Sequence, residues 1–448
     1  MNIIICGAGE VGSHAAQLLA ESGHNVTVID ENESKLHDIE DRLDLQTFCG
    51  NCATAETLCQ AGTAKADLLV AATNLDEINL LTASIAKGVG ARESMARVHH
   101  STYFAERDLG YRDHLQIDHL ICPEYAAAKA IARSLRNPGA FAIEDFAHGQ
   151  LEMQEFPVSE GAPGANTPLA NVHLPKGTRL ATVQHEGQVF IPRADTIVYP
   201  GDTVILIGNS DIFEKSRQLF QISKTGLRRV AIMGGTATAV YLSRGLQDKQ
   251  FAVRIFEEDI ERARELADKL NWVTVINANP TNRTVFEEEH LDQIDAFVAL
   301  LDDDDDHNIL ACAWAKSLGV AKAIAVVQNP EYLHLLSSIG IDKPFSLRWE
   351  AGREIAAILD RGPIQQIATL AEGIVDVYTV RVGPNASILN QPLKSLTFKS
   401  PWVIAAIQSG DRVTVPTAED HIENGNTVVV IGRQGDRPGL AKTFDAHS

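Results

Sequence analysis

This chain repeats itself, and the repeat limits its possible folds more than any single motif does. Ile3-Ile4-Ile5-Cys6-Gly7-Ala8-Gly9 is echoed by Val230-Ala231-Ile232-Met233-Gly234-Gly235. Asp30, closing Val26-Thr27-Val28-Ile29, is echoed by Glu257, closing Val253-Arg254-Ile255-Phe256. Both matches lie 227 residues apart (234 − 7 and 257 − 30). Asp76 with Asn79 matches Asp305 with Asn308 at an offset of 229. Farther along, Pro168-Leu169, Pro192 and Gly201 match Pro392-Leu393, Pro416 and Gly425, each 224 apart, which is half of 448. Two modules kept in order at a nearly fixed offset make the chain a tandem duplication.

The larger module alternates short apolar runs with helical periodicity. Val26 to Ile29, Leu68 to Ala71 and Ala96 to Val98 read as buried parallel strands between helices, the pattern of a doubly wound sheet. The smaller module has β-rich runs such as Thr203 to Ile207 and Thr427 to Ile431, punctuated by Pro200-Gly201-Asp202 and Glu423-Asn424-Gly425-Asn426. The expected class is α/β, with two Rossmann-like doubly wound domains, each followed by a small α+β domain. The expected boundaries are 1–137, 138–224, 225–361 and 362–448. Arg136-Asn137-Pro138-Gly139, Ser223-Lys224-Thr225-Gly226 and Arg361-Gly362-Pro363 are the expected linkers.

Gly7-x-Gly9-x-x-Gly12 follows an apolar strand and opens a helix expected from about Val11 to Ala20, the context that makes this motif specific. Gly7 permits the tight turn, Gly9 lets pyrophosphate approach the backbone, and Gly12 lets the helix pack close to the strand. The helix N-terminus then offers unpaired N–H groups to phosphate. Asp30 sits where a carboxylate accepts hydrogen bonds from the adenosine ribose, and it would repel a 2′-phosphate, so NAD(H) is preferred to NADP(H). Open α/β sheets bind ligands at the carboxyl ends of their strands. This adds Asn51 as an adenine or ribose contact and Thr73 and Asn74 as phosphate or second-ribose contacts. Arg97 would either reach the ligand or pair with a carboxylate. Each of these residues has the competing role of capping its own loop.

The second copy departs from the pattern. It reads Gly234-x-Thr236-x-x-Ala239, and a Cβ at the second position intrudes where pyrophosphate should lie. Gly234 and Glu257 remain as candidate ligands. Asp302-Asp303-Asp304-Asp305-Asp306 covers the positions equivalent to Thr73 through Glu77 and would repel a dinucleotide. Three readings stay open: a purely structural site, a nucleotide whose charge a cation offsets, or a separate cation or partner contact.

With 39 basic against 59 acidic residues and a net charge of −20, broad nucleic-acid binding and unaided adhesion to anionic lipid are disfavoured. No run approaches the roughly 18 to 20 apolar residues of a membrane span, and the start lacks a signal peptide's basic region, so a cytosolic protein is expected. The six cysteines are scattered; Cys49-x-x-Cys52 has no second pair or flanking histidine to make a zinc site.

These features together are similar to the tandem RCK (KTN) family of potassium-transport regulators. The resemblance rests on Ile3 through Gly12, on Asp30, on Leu69-Val70-Ala71-Ala72-Thr73-Asn74-Leu75-Asp76-Glu77 and on Ala96-Arg97-Val98, and it spans essentially the whole chain. It implies that Gly7, Ala8, Gly9, Glu10, Val11, Gly12, Asp30, Thr73, Asn74 and Arg97 contact NAD(H), with ATP or ADP as effectors in some members. It further implies self-association into a ring, a homotetramer, at the inner face of the membrane beneath a membrane-embedded potassium-translocating subunit of the Trk type. A different class, an NAD-dependent oxidoreductase, needs an acid/base residue beside the nicotinamide. His99-His100 is the nearest candidate pair and reads better as solvated or locally bonded. No catalytic or metal-ligating residue is expected.

Overall fold

The computed structural model describes every residue except 104–108, 138–141, 147–149, 223–225, 303, 343, 360–361, 371–373, 397–401, 411, 436 and 447–448. Of the expected linkers, Pro138, Gly139, Ser223 to Thr225 and Arg361 lie outside the described residues. The chain forms two compact units, one from residues 1–135 and 226–359, the other from 136–225 and 360–448. Like modules are therefore gathered together, rather than each Rossmann-like module with its neighbour in sequence.

In the first unit, strands β1 (Asn2–Cys6), β2 (Asn25–Asp30), β3 (Gln46–Cys49), β4 (Leu68–Ala71), β5 (Glu93–Arg97) and β6 (His119–Ile121) form a parallel sheet ordered β3-β2-β1-β4-β5-β6. This is the dinucleotide-binding order, whose crossover point lies between β1 and β4. The strands are apolar throughout because both faces are covered. Ile3, Ile5, Val26, Val28, Leu68 and Val70 face one side and Ile4, Cys6, Ile29, Leu69 and Ala71 the other. The fifth strand begins at Glu93 and ends at Arg97; Val98, expected within it, instead donates its N–H to the Ile121 carbonyl at 2.9 Å.

The second copy repeats this arrangement. It contains β12 (Arg228–Met233), β13 (Phe251–Phe256), β14 (Thr274–Ile276), β15 (Ala296–Ala299), β16 (Lys322–Val327) and β17 (Phe345–Ser346), ordered β14-β13-β12-β15-β16-β17. The copies exchange their last helices. Helix Pro123–Arg136 of the first copy buries Ala127, Ala128, Ile131 and Leu135 against Val230, Ile232 and Leu242 of the second. Helix Leu347–Leu359 of the second buries Ala351 and Ile355 against Val11, Ala15 and Leu19 of the first. Each buried Ile or Leu contributes about 1.5–3 kcal/mol. Cations from the second copy meet the last carbonyls of helix Pro123–Arg136, where the helix dipole favours them. Lys322 Nζ donates to Ser134 O at 2.9 Å and Arg228 Nη1 to Leu135 O at 2.8 Å.

In the second unit, β7 (Ala142–Phe146), β8 (Leu151–Pro157), β9 (Thr178–His185), β10 (Gln188–Phe190) and β11 (Thr203–Asn209) form an antiparallel sheet ordered β10-β9-β11-β8-β7. Its counterpart, β18 (Ile364–Leu370), β19 (Val375–Arg381), β20 (Val403–Ser409), β21 (Arg412–Thr414) and β22 (Thr427–Arg433), is ordered β18-β19-β22-β20-β21, the same topology read from the other edge. Pro168 and Pro392 open matching single turns, Leu169–Asn171 and Leu393–Ser395. One shared core joins Met153, Ile205 and Ile207 to Val377, Val429 and Ile431.

Candidate nucleotide-binding site

The first glycine loop links β1 to helix Glu10–Glu21. Gly7 adopts φ +106, a left-handed conformation that a side chain would strain, and a Cβ there would fall 2.8 Å from the Ala72 carbonyl oxygen. At Gly12 a Cβ would fall 1.9 Å from Gly7 O, so the helix lies directly on the turn. At Gly9 a Cβ would meet nothing within 4 Å. Gly9 is also the residue preceding the helix and supplies no side-chain cap, so the first-turn amides keep their donors for an outside acceptor.

Asp30 ends β2 beside this loop. Its Oδ2 accepts from Ala8 N at 2.6 Å and its Oδ1 from Asn32 N at 2.8 Å. A carboxylate offers about four acceptor positions, so both oxygens retain capacity for a ribose diol.

The other candidates fall around the same strand ends with mixed roles. Thr73 lies against Gly7, and its N–H and hydroxyl both donate to Asn79 Oδ1, at 2.8 and 2.7 Å. Asn74 follows it in the turn before helix Asp76–Val89. Asn51 Oδ1 accepts from Ala53 N at 2.8 Å, capping its own loop and leaving its NH₂ group for other contacts. Arg97 Nη2 pairs with Glu124 Oε1 at 2.8 Å, the carboxylate pairing that its sequence position offered as one of two roles. Glu10 and Val11 begin the helix; Val11 is buried, whereas Glu10 is exposed and pairs with Arg348 of the second copy.

His99 is locally bonded, the reading its sequence context favoured. Its Nδ1 lies 2.7 Å from Asp76 Oδ1, and Asp76 also accepts the backbone N–H groups of His99 and His100. Burial pushes the Asp76 carboxyl up, but these hydrogen bonds outweigh it and hold the group below the usual range. In Cys49-x-x-Cys52, Cys49 Sγ sits 3.8 Å from Glu31 O, while Cys52 is buried and bonded by Thr82 Oγ1 at 3.5 Å.

The second loop has the same outline with a filled cradle. Gly234 keeps φ +97, and Glu257 accepts from Gly235 N at 2.7 Å and Asp259 N at 2.9 Å, as Asp30 does in the first copy. Thr236, in the place of Gly9, accepts the N–H of Ala239 with its own hydroxyl at 3.3 Å. Arg262 Nε donates to Gly235 O at 2.8 Å, and a Cβ on Gly235 would fall 2.4 Å from Leu266 Cδ1. Within the acidic run, Asp304 caps helix Asp305–Ser317, and Asp305 accepts from Gln328 N and Asn329 N, the counterpart of Asp76. Asp303 lies outside the described residues.

Sequence reasoning missed Glu124, Arg348 and the job of Asn79. Asn79 Nδ2 donates to Thr73 O and Arg97 O, tying β4 to β5, and Asn308 makes the same clasp from Leu301 to Val326. Its recurrence was the available signal.

Two parallel sheets of this order, each followed by an antiparallel module, define a tandem Rossmann-domain protein with one open and one closed glycine loop. The TrkA-N domain model matches residues 3–123 and 230–347, and the TrkA-C domain model residues 153–221. This chain belongs to the TrkA family, a family of potassium-transport proteins and not of enzymes. It is 31% identical over 444 residues to a Trk system potassium uptake protein TrkA homolog of Archaeoglobus fulgidus, covering 99% of this chain and 100% of that one. It is 28% identical to the Trk system potassium uptake protein TrkA of Haemophilus influenzae, covering 99% and 98%. Its fold is similar to that of the GsuK channel bound to NAD, with TM-score 0.64 at 16% identity, covering 100% of this chain and 79% of that one. Among the described residues no helix is long and apolar enough to cross a membrane.

Proposed function

We propose that this chain is the nucleotide-sensing cytoplasmic subunit of a Trk-type potassium-uptake system, binding NAD(H) at its first glycine loop. The observation that carries this reading is the open space over Gly9, beside an uncapped helix start and a pre-oriented Asp30. The pyrophosphate would lie over Gly9, on the first-turn amides of the helix that Glu10, Val11 and Gly12 open, while the Ala8 N–H holds Asp30 in place. The adenosine ribose would bind Asp30, with Asn51 near the adenine. Thr73 and Asn74 would line the other side, with Arg97 anchoring the wall through Glu124. Gly234 and Glu257 would hold a structural copy, since the Thr236 hydroxyl already takes the Ala239 N–H, a donor that a phosphate would use. The GsuK channel, similar in fold, is bound to NAD, which supports the choice of ligand; ATP and ADP are the alternatives.

Four modules, 1–137, 138–224, 225–361 and 362–448, would assemble with other copies into a homotetrameric ring. The ring would sit on the inner face of the membrane, under a membrane-embedded potassium-translocating subunit. Nucleotide would bias that subunit's gate only through its difference in affinity for two ring geometries. A coupling of about 1–3 kcal/mol corresponds to roughly 5- to 150-fold.

Calorimetric titration of the full chain with NADH, NAD⁺, ATP and ADP tests the reading. Wild type should bind one NADH per chain without consuming it, and Asp30→Ala and Gly9→Val should both lose it. Equal binding by all three proteins, or turnover of NADH, would refute it.

A further inference from the structure

We propose that Arg348, from the second copy, is a diphosphate-binding residue of the first copy's site, oriented there by Glu10. This rests on the nucleotide reading above and adds the residue that completes the site across the duplication.

Glu10 is the first residue of the helix whose N-terminus faces the open space over Gly9, and its side chain is half exposed. A carboxylate there enjoys the helix dipole that a phosphate would otherwise use, and it repels that phosphate. The chain therefore places an anion at the mouth of an anion site. Arg348 answers that charge. Its Nε donates to Glu10 Oε2 at 3.1 Å and its Nη2 pairs with Glu10 Oε1, a two-pronged contact that leaves Nη1 without a hydrogen-bond partner among the described residues. A guanidinium carries five donors in a fixed fork, enough to keep Glu10 and donate to a phosphate oxygen together.

The arm that carries Arg348 is well seated. It lies at the start of helix Leu347–Leu359, whose Ala351 and Ile355 are fully buried against the first copy's helix. The two helices approach so closely that a Cβ on Gly352 would fall 2.4 Å from Leu18 Cδ1. Trp349, the next residue, lies beside His14 with ring centroids 6.5 Å apart.

The duplication supplies a built-in comparison. Arg348 is the second residue of helix Leu347–Leu359, and its counterpart is the second residue of helix Pro123–Arg136. The residue there is Glu124, and it turns to Arg97 and His99 of its own copy. At this one position the exchanged helices thus place a cation, Arg348, beside the open loop's helix and a carboxylate, Glu124, in the other copy.

The test is titration of the full chain with NADH, ADP and adenosine, using wild type, Arg348→Ala, Glu10→Gln and the double variant. Arg348→Ala should bind NADH and ADP about tenfold or more weakly, because it loses a charge-assisted contact and unmasks Glu10. It should bind adenosine as wild type does, since Asp30 is untouched, and that also reports an intact fold. Glu10→Gln in the Arg348→Ala background should recover part of the loss. Unchanged NADH affinity in Arg348→Ala, alongside a binding wild type, would overturn this proposal alone. Equal loss of adenosine would overturn it too, by assigning Arg348 a purely structural role. A wild type that binds no nucleotide would overturn both readings.

Discussion

Replacing Gly12 with alanine separates packing from ligand contact at the first glycine loop. The new Cβ would fall 1.9 Å from the Gly7 oxygen, where such contacts are not found below 3.0 Å, so turn or helix must retreat by at least 3.0 − 1.9 = 1.1 Å. The turn has little room to yield. Gly7 is held by its N–H on Ile29 O at 2.8 Å, and Ala72 O lies behind it. Overpacking of this kind costs about 1–3 kcal/mol. In a unit of this size each kcal/mol lowers the melting temperature by about 2–4 °C, giving a drop of roughly 2–12 °C. Gly9→Val is the matched control. Its Cβ enters open space at an ordinary φ of −77, so it should melt close to wild type while failing to bind. Scanning calorimetry with and without NADH reads both effects. Gly12→Ala melting with wild type, or Gly9→Val melting as low as Gly12→Ala, would refute the reasoning.

Three further outcomes are expected. Burial, then Glu350 and Glu124, push the Glu354 carboxyl up to about 7, above its ordinary 4.5. The folded chain therefore holds an extra proton between those values and loses stability as pH rises through them; Glu354→Gln should stabilise by up to about 3 kcal/mol at pH 8 and by almost nothing at pH 4. Equal melting temperatures at pH 8 would contradict this. Thr236→Ala should cost about 1 kcal/mol of stability by removing a helix cap, yet create no second NADH site; two NADH per chain would disprove the closed-cradle account. Asn79→Ala should lower stability in urea by about 1–3 kcal/mol, because it leaves part-buried backbone groups of Thr73 and Arg97 unpaired, and an unchanged midpoint would rule the clasp out.

Contacts that are local in sequence were legible before the structure. The glycine turn, Asp30 and the apolar strands β1, β2 and β4 are read directly from spacing and run length, and the repeat announced a second copy of each. What stayed hidden depends on partners far away in the chain. Helix Pro123–Arg136 shows an apolar face in its sequence, but periodicity does not say which sheet that face will meet, and it meets the other copy's. Arg97 and Glu124 are 27 residues apart and Glu10 and Arg348 are 338 apart, so neither pairing leaves a spacing signature. The acidic run illustrates the opposite problem. Its composition left a structural, a nucleotide-with-cation and a separate cation or partner reading open, and spacing could not choose among them; Asp304 and Asp305 are engaged in capping a helix and bracing a loop.

The exchanged helices have a consequence for how the first unit comes apart. Neither Rossmann-like sheet owns all the side chains that keep water from its face, because Ala351 and Ile355 shelter one and Ile131 and Leu135 the other. A chain severed between the copies would leave two fragments, each with a bare patch and a homeless segment. In the intact chain the two sheets share that cover, so a ligand held at the Gly9 loop would also steady the second copy.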